Sequence, residues 1–241
     1  MPESPSGEST EQSGPRSTEA YTDPEYRQAV IDMLGAIAYG EISAFERLSE
    51  DARMAPTLVD KVAMARMATT EFRHVELLSE RLTELGADPY AAMEPFTRAL
   101  DEWHERTTPA DWYESLVKAY VGDGMAADFY REIAAYLDAR TRDLIVSSLE
   151  DAGQSQFVVD RVRAGIAADP KLSGRLALWG RRLMGEALTQ AQRVAAERDA
   201  LSSLLAGGVD RPGLDLAAIG RMFTRITERH AERMSGLGLD S

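Results

Sequence analysis

The chain has 241 residues, 44% hydrophobic and 28% charged, which suffices for one substantial domain with its own core. A formal charge of −13 disfavours general binding to phosphate backbones, and the lack of cysteine excludes disulfides and thiolate metal sites. No apolar run approaches the ~18 residues that a membrane span requires.

In chain order, the opening stretch MPESPSGESTEQSGPRSTEA is rich in Pro, Ser, Glu and Gly and has no apolar segment of the signal-peptide kind. Residues 1–22 therefore read as a disordered tail before a domain at 23–241. Nothing directs the chain elsewhere, so the expected localisation is cytoplasmic. Asp23-Pro24 reads as N-cap and first-turn proline, opening a helix to about Ala52. A second helix starts near Pro56-Thr57 and stops before Gly86, which suits a C′ glycine. The connection ADPYAAMEPFTRALDEWHERT carries a short helix of its own. Thr108-Pro109-Ala110-Asp111 then caps a third long helix to about Leu137. A fourth runs over roughly 138–168, weakened around Gly153; a fifth spans Lys171 to about Ala206; a last covers 214–234. Strand signals are nearly absent. The expected class is all-α: a four-helix bundle over about 24–168, with further helices over about 171–234.

The apolar stripes of these helices carry polar interruptions. Residues three or four apart share one helical face. On the first helix that face reads Val30, Leu34, Ile37, Glu41, Phe45 and Leu48, and on the second Met64, Met67, Glu71, His74, Leu78 and Leu82. The third gives Leu116, Tyr120, Asp123, Ala127 and Tyr130, and the fourth Leu144, Ser147, Asp151, Gln154 and Val158. An uncompensated buried charge costs ~3–5 kcal/mol, so four helices each placing an acid in a core slot point to a cation between them. Carboxylates with an imidazole and no thiolate suit iron, manganese or zinc.

Spacing supports this. Glu41 and Glu71 are 30 residues apart, Asp123 and Asp151 28, and Glu71 and Asp123 52. Two hairpins of similar span joined by a longer connection give a ferritin-like bundle with one crossover. Such bundles take one carboxylate from each of two helices and a Glu-x-x-His pair from each of the others.

The stretches AIAYGEISAFERL, ATTEFRHVELL and YVGDGMAADFYREIAAYLD resemble the ferritin-like superfamily, in the branch related to the tRNA hydroxylase that oxidises an isopentenyl-modified adenosine. The resemblance covers roughly residues 25–160. It implies a non-haem iron site of one or two ions, dioxygen activation, and Glu41, Glu71, His74 and Asp123 at metal-ligand positions. In the second half Asp151 stands for the family's carboxylate, but Gln154 stands where a histidine belongs. A neutral amide is a far weaker iron ligand than imidazole. Glycines 122, 124 and 153 around these positions suit a local π-type bend, or mark a half-site that has decayed.

Two functional readings follow. One is an oxygenase or hydroxylase with Glu41, Glu71, His74, Asp123, Asp151 and Gln154 as metal residues. It needs a separate electron donor, since no flavin or iron–sulfur motif is present. The other is a non-catalytic ferritin-like scaffold or binding protein that has lost its metal. The substrate is not identified by the sequence. tRNA follows from the resemblance but is opposed by the net charge, no membrane partner is expected, and a homodimer is compatible with the chain. The segment from Ala139 to Arg182 carries eight basic and five acidic residues and is the one local patch a polyanion would use. His104 and His230 read as exposed or surrounded by charges, and Glu186 as a helix-edge glutamate.

Overall fold

The computed structural model describes residues 20–149, 154–206 and 216–240. Among them no strand occurs, and no helix is long and apolar enough to cross a membrane. The long helices are α1 (Pro24–Asp51), α2 (Leu58–Glu84), α5 (Trp112–Ala134) and α8 (Lys171–Glu197). Between α2 and α5 run α3 (Pro89–Met93) and α4 (Thr97–Arg106). After α5 come α6 (Ala139–Ser148) and α7 (Gln154–Ala168), and α8 is followed by α9 (Asp199–Ala206) and α10 (Leu216–Gly236).

The helix ends follow local chemistry. Asp23 accepts the amides of Glu25 and Tyr26 at 2.9 and 3.4 Å, with Pro24 in the first turn. Thr57 accepts the Asp60 amide at 3.1 Å, and Asp111 accepts that of Glu114 at 3.0 Å. Gly86 takes φ +70°, and the Ala87 amide reaches back to the Leu82 carbonyl at 3.0 Å, which closes α2 in a Schellman turn. At Gly35 a Cβ would sit 2.1 Å from the Ala92 carbonyl oxygen, so glycine is what lets α3 cross α1 at backbone distance.

Several expectations are corrected. The tail assigned to 1–22 lies outside the described residues except for its last three, and those form a short 3-10 turn. Tyr21 there bonds Asp138 and sits 3.0 Å from the Thr141 hydroxyl, which ties the turn to the start of α6. The fourth helix is two helices, and the fifth breaks at Arg198, whose guanidinium holds buried Asp32 at 2.5 and 3.0 Å. On α6 the buried face is Thr141, Ile145 and Ser148, one residue on from the expected Leu144 and Ser147; Thr141, bonded to the Asp138 cap and to Arg81 of α2, is held on the side that meets the bundle. Through Gly122 and Gly124 α5 stays α-helical. Those glycines serve close approach instead: Trp103 packs over Gly122, and the Gly124 carbonyl accepts from Arg233 at 2.8 Å.

The core has two apolar halves. One joins the start of α2 and α5 to α7, α8 and α10 around Met64, Leu116, Val121 and Leu183. The other joins the start of α1 and end of α2 to α3 and the end of α5 around Leu34, Ile37, Leu82 and Phe96. On α1 the second half stops at Ala38 and the first begins at Leu48; on α2 the corresponding gap lies between Ala68 and Leu78. Glu41, Glu71 and His74 fall in that gap.

Candidate metal centre

Glu41 projects from the middle of α1 and Glu71 and His74 from the middle of α2, the pair of helices that packs most closely. One ligand atom from each lies within 4.8 Å of the others. His74 Nδ1 is 3.1 Å from Glu41 Oε2 and 3.8 Å from Glu71 Oε2, and the three side chains are 9–15% exposed. Burial pushes the Glu41 carboxyl up to about 7; a hydrogen bond from Glu71 pulls the other way, and the charge of Asp123 pushes it further up. No lysine or arginine is among those influences. A buried carboxylate without a cation holds its proton, which fits a site whose missing partner is a positive ion.

Asp123 on α5 lines the same cavity, of about 120 Å³, and its charge is felt at Glu41. It is nevertheless exposed and stands outside the compact group, whereas the expectation placed it in the interior. The buried face of α5 runs through Val117, Val121, Met125 and Asp128, which turns position 123 toward the cavity mouth. Asp151 lies outside the described residues. Gln154 opens α7, and its side chain also lies outside them.

The sequence reading missed several residues of this cavity. Tyr130 lies beside the acids, its hydroxyl 3.0 Å from where a Gly40 Cβ would be, and burial with the charges of Glu41, Asp123 and Glu71 holds its phenol protonated. Arg47, Asp51, His104 and Lys118 line the cavity too. His104, expected to be exposed, is 8% exposed, and His230 is 4% exposed. A signal was there: His104 follows Leu100 by one turn, and His230 continues the buried row of Met222 and Ile226 to Met234. Glu186 is partly buried and 3.8 Å from Arg106, in keeping with a helix-edge role.

A second, apolar chamber of about 210 Å³ adjoins the first, and Leu100, Trp103, Gly122, Ala126 and Tyr130 form the shared wall. Met33, Phe96 and Phe129 line it from the bundle side, and Met184, Val194 and Leu201 from α8 and α9.

Most of the basic patch is engaged within the fold. Arg140 pairs with Glu84 at 2.6 Å, Arg161 with Asp60 at 2.6 Å, and Arg175 with Asp111 and Glu114 at 2.5 Å each. Arg163 and Arg182 donate to the carbonyls of Gly236 and Arg106.

The family model described as the ferritin-like domain of actinomycetes matches residues 24–208. Among solved structures, the chain resembles a protein from Synechococcus with aldehyde deformylating oxidase activity, at a TM-score of 0.69 and 18% identity over 91% of this chain and 94% of that one. No curated protein sequence matches the chain.

Proposed function

Because the chain belongs to the ferritin-like domain family of actinomycetes, we propose that it is a metal-dependent oxidase acting on a small apolar substrate. The observation that carries the reading is the Glu41–Glu71–His74 cluster, two carboxylates and an imidazole with ligand atoms within 4.8 Å of one another, beside an apolar chamber. Glu41, Glu71 and His74 would hold the first ion. Asp123 at the cavity mouth, with Asp151 and Gln154 from the fourth-helix region, are the remaining candidate positions. Iron bound there would supply dioxygen activation. The rest is the work of the chain's own side chains. The chamber excludes water and seats an apolar body, since its lining between α5 and α8 is almost wholly hydrocarbon. Tyr130, kept protonated, is a hydrogen-bond donor in the wall shared by chamber and metal site.

The neighbour's activity on aldehydes is compatible with an apolar substrate but belongs to a protein only 18% identical. Hydroxylation of tRNA, implied by the sequence resemblance, draws no support from the basic segment, whose arginines are mostly paired internally. Electrons would come from a separate donor.

The test is metal analysis of protein purified without chelator, alongside Glu71→Gln. At least one iron, manganese or zinc per chain in the native protein and a clear loss in the variant support the reading. Metal-free protein that takes up none of these ions on titration points to the scaffold reading, in which the His74–Glu41 contact is simply a buried polar pair.

A further inference from the structure

The polar cavity has two ends of opposite character. Arg47 and Asp51 lie six and ten residues beyond Glu41 on α1, about 9 and 15 Å along the axis. Lys118 precedes Asp123 by five residues on α5, about 7.5 Å, and the two helices run antiparallel here. The residues away from the acids are thus Arg47, Asp51, Lys118 and, from α4, His104.

Hydrogen-bond donors at that end lack acceptors. Lys118 is 5% exposed, and its ammonium makes one hydrogen bond, a long one of 3.5 Å to the His104 carbonyl. It also lies 4.9 Å over the ring of Trp103, which belongs to both cavities. Among the described residues, His104 Nδ1 and Arg47 Nε are buried without a partner. Asp51 is the one acid in this wall and makes no ion pair within 4 Å with Lys118, while Arg47 pairs outward with Glu50 at 2.9 Å. With Arg47 turned to Glu50, the wall sets Lys118 against Asp51, and an ammonium with one long bond, a guanidinium Nε and an imidazole nitrogen that donates in one of its tautomers describe a socket for an acceptor carrying negative charge.

We propose that this end of the cavity is a carboxylate-binding subsite, in which Lys118, His104 and Arg47 take the head group of an apolar acid whose tail enters the adjoining chamber past Trp103. Neutral donors alone would accept an alcohol equally well, but a buried ammonium with a single weak bond gains most from an anion. The acids around Glu41 repel the head group, so the molecule enters in one direction. Burial, opposed by Asp51 and Glu50 and reinforced by Arg47, lowers the Lys118 ammonium to about 8, so it is charged at neutral pH and loses its proton in mild alkali. Burial, with the charges of Lys118 and Arg47, brings His104 to about 3, so that its ring is neutral at every working pH. The proposal rests on the reading of the chamber as a ligand site and is independent of whether a metal is bound.

The experiment is calorimetry with chelator-treated full-length protein, using octanoate and 1-octanol as probes. Octanoate should bind at least tenfold more tightly than octanol at pH 7. That preference should vanish in Lys118→Met, survive in Lys118→Arg, and shrink in the native protein above pH 8 as Lys118 deprotonates. Equal affinity for the two probes in the native protein, a preference that persists in Lys118→Met, or no binding of octanoate would overturn the proposal. The alkaline titration of the native protein decides the matter even if Lys118→Met fails to fold. Failure of the metal reading shows separately, as metal-free protein in the elemental analysis, whichever way the calorimetry falls.

Discussion

Asp128 and Glu41 are both buried acids in the middle of long helices, 3% and 8% exposed, yet their surroundings are opposite. Around Asp128 the chain gathers Arg131 at 3.6 Å, Arg229 at 3.5 Å and, in direct contact, Arg233 of α10. Buried Asp32 and Asp60 are answered in the same way by Arg198 and Arg161. Around Glu41 stand Glu71, His74 and Asp123, and the carboxyl is driven toward its neutral form. Where the chain supplies the cation, the acid is part of the scaffold and stitches a distant helix to the bundle. Where it supplies more acids and an imidazole, the carboxyl is left to a proton or to an added ion.

The contrast can be broken most directly by deletion. Asp128→Ala removes the acid that Arg233, 14% exposed, packs against, while Arg229 keeps Glu132, and should lower the unfolding free energy by ~3–5 kcal/mol in denaturant titrations. Glu41→Gln in chelator should cost far less, or stabilise, because it replaces a carboxyl that already tends to its neutral form and has neither lysine nor arginine acting on it. Equal losses in the two variants would erase the distinction.

A second expectation concerns pH. A carboxyl whose folded pKa is raised binds its proton more tightly folded than unfolded. In metal-free protein the Glu41 contribution is therefore complete below about 4.5 and is lost as pH rises to about 7. The full swing is about 3 kcal/mol at 1.36 kcal/mol per pKa unit. Stability measured across that window should fall with pH in the native chain and flatten in Glu41→Gln.

Saturating metal should act in the same range. An ion present at a hundred times its dissociation constant adds about 2.7 kcal/mol to unfolding. Thermal unfolding with ferrous iron, manganese or zinc should register this in the native protein and not in Glu71→Ala, while Asp128→Ala, if folded, should keep its response. The smallest effect is expected at Gln154→His, which places an imidazole three residues after Asp151. Metal content should rise toward two ions per chain, and an unchanged content would mark the second half-site as lost.

The bundle and the acidic cluster were legible in the sequence because both depend on local signals. Caps at Asp23, Thr57 and Asp111 and the glycine at 86 act within a few residues, and period-3.6 stripes on α1 and α2 carry Glu41, Glu71 and His74. What was not legible depends on partners far along the chain. The burial of Asp128 leaves no local trace, because Arg229 and Arg233 lie about a hundred residues away, on a helix outside the ferritin-like pattern. His104 and Lys118 depend on the packing of the crossover helix α4 against the bundle: the stripe of Ala99, Leu100 and Trp103 shows an apolar face on α4, and His104 lies one turn after Leu100, but only the fold brings Lys118 onto it. The exposure of Asp123 shows the limit of face-reading on α5, where apolar residues surround the helix widely enough that several stripes fit and only the neighbouring helices choose among them.

The break at Arg198 bears on how such a protein can diversify. Because its guanidinium fastens α9 to Asp32 on α1, Leu201 becomes part of the chamber wall, together with Val194 from the end of α8. Glu41, Glu71 and His74 thus sit in the first third of the chain, and these two residues of the chamber wall in the last fifth. Substitutions at 194 and 201 can lengthen, shorten or cap the space without disturbing Glu41, Glu71 or His74. A lineage, or a protein engineer, can therefore retune molecular size selectivity at one end of the gene while the chemistry at the other end is inherited unchanged.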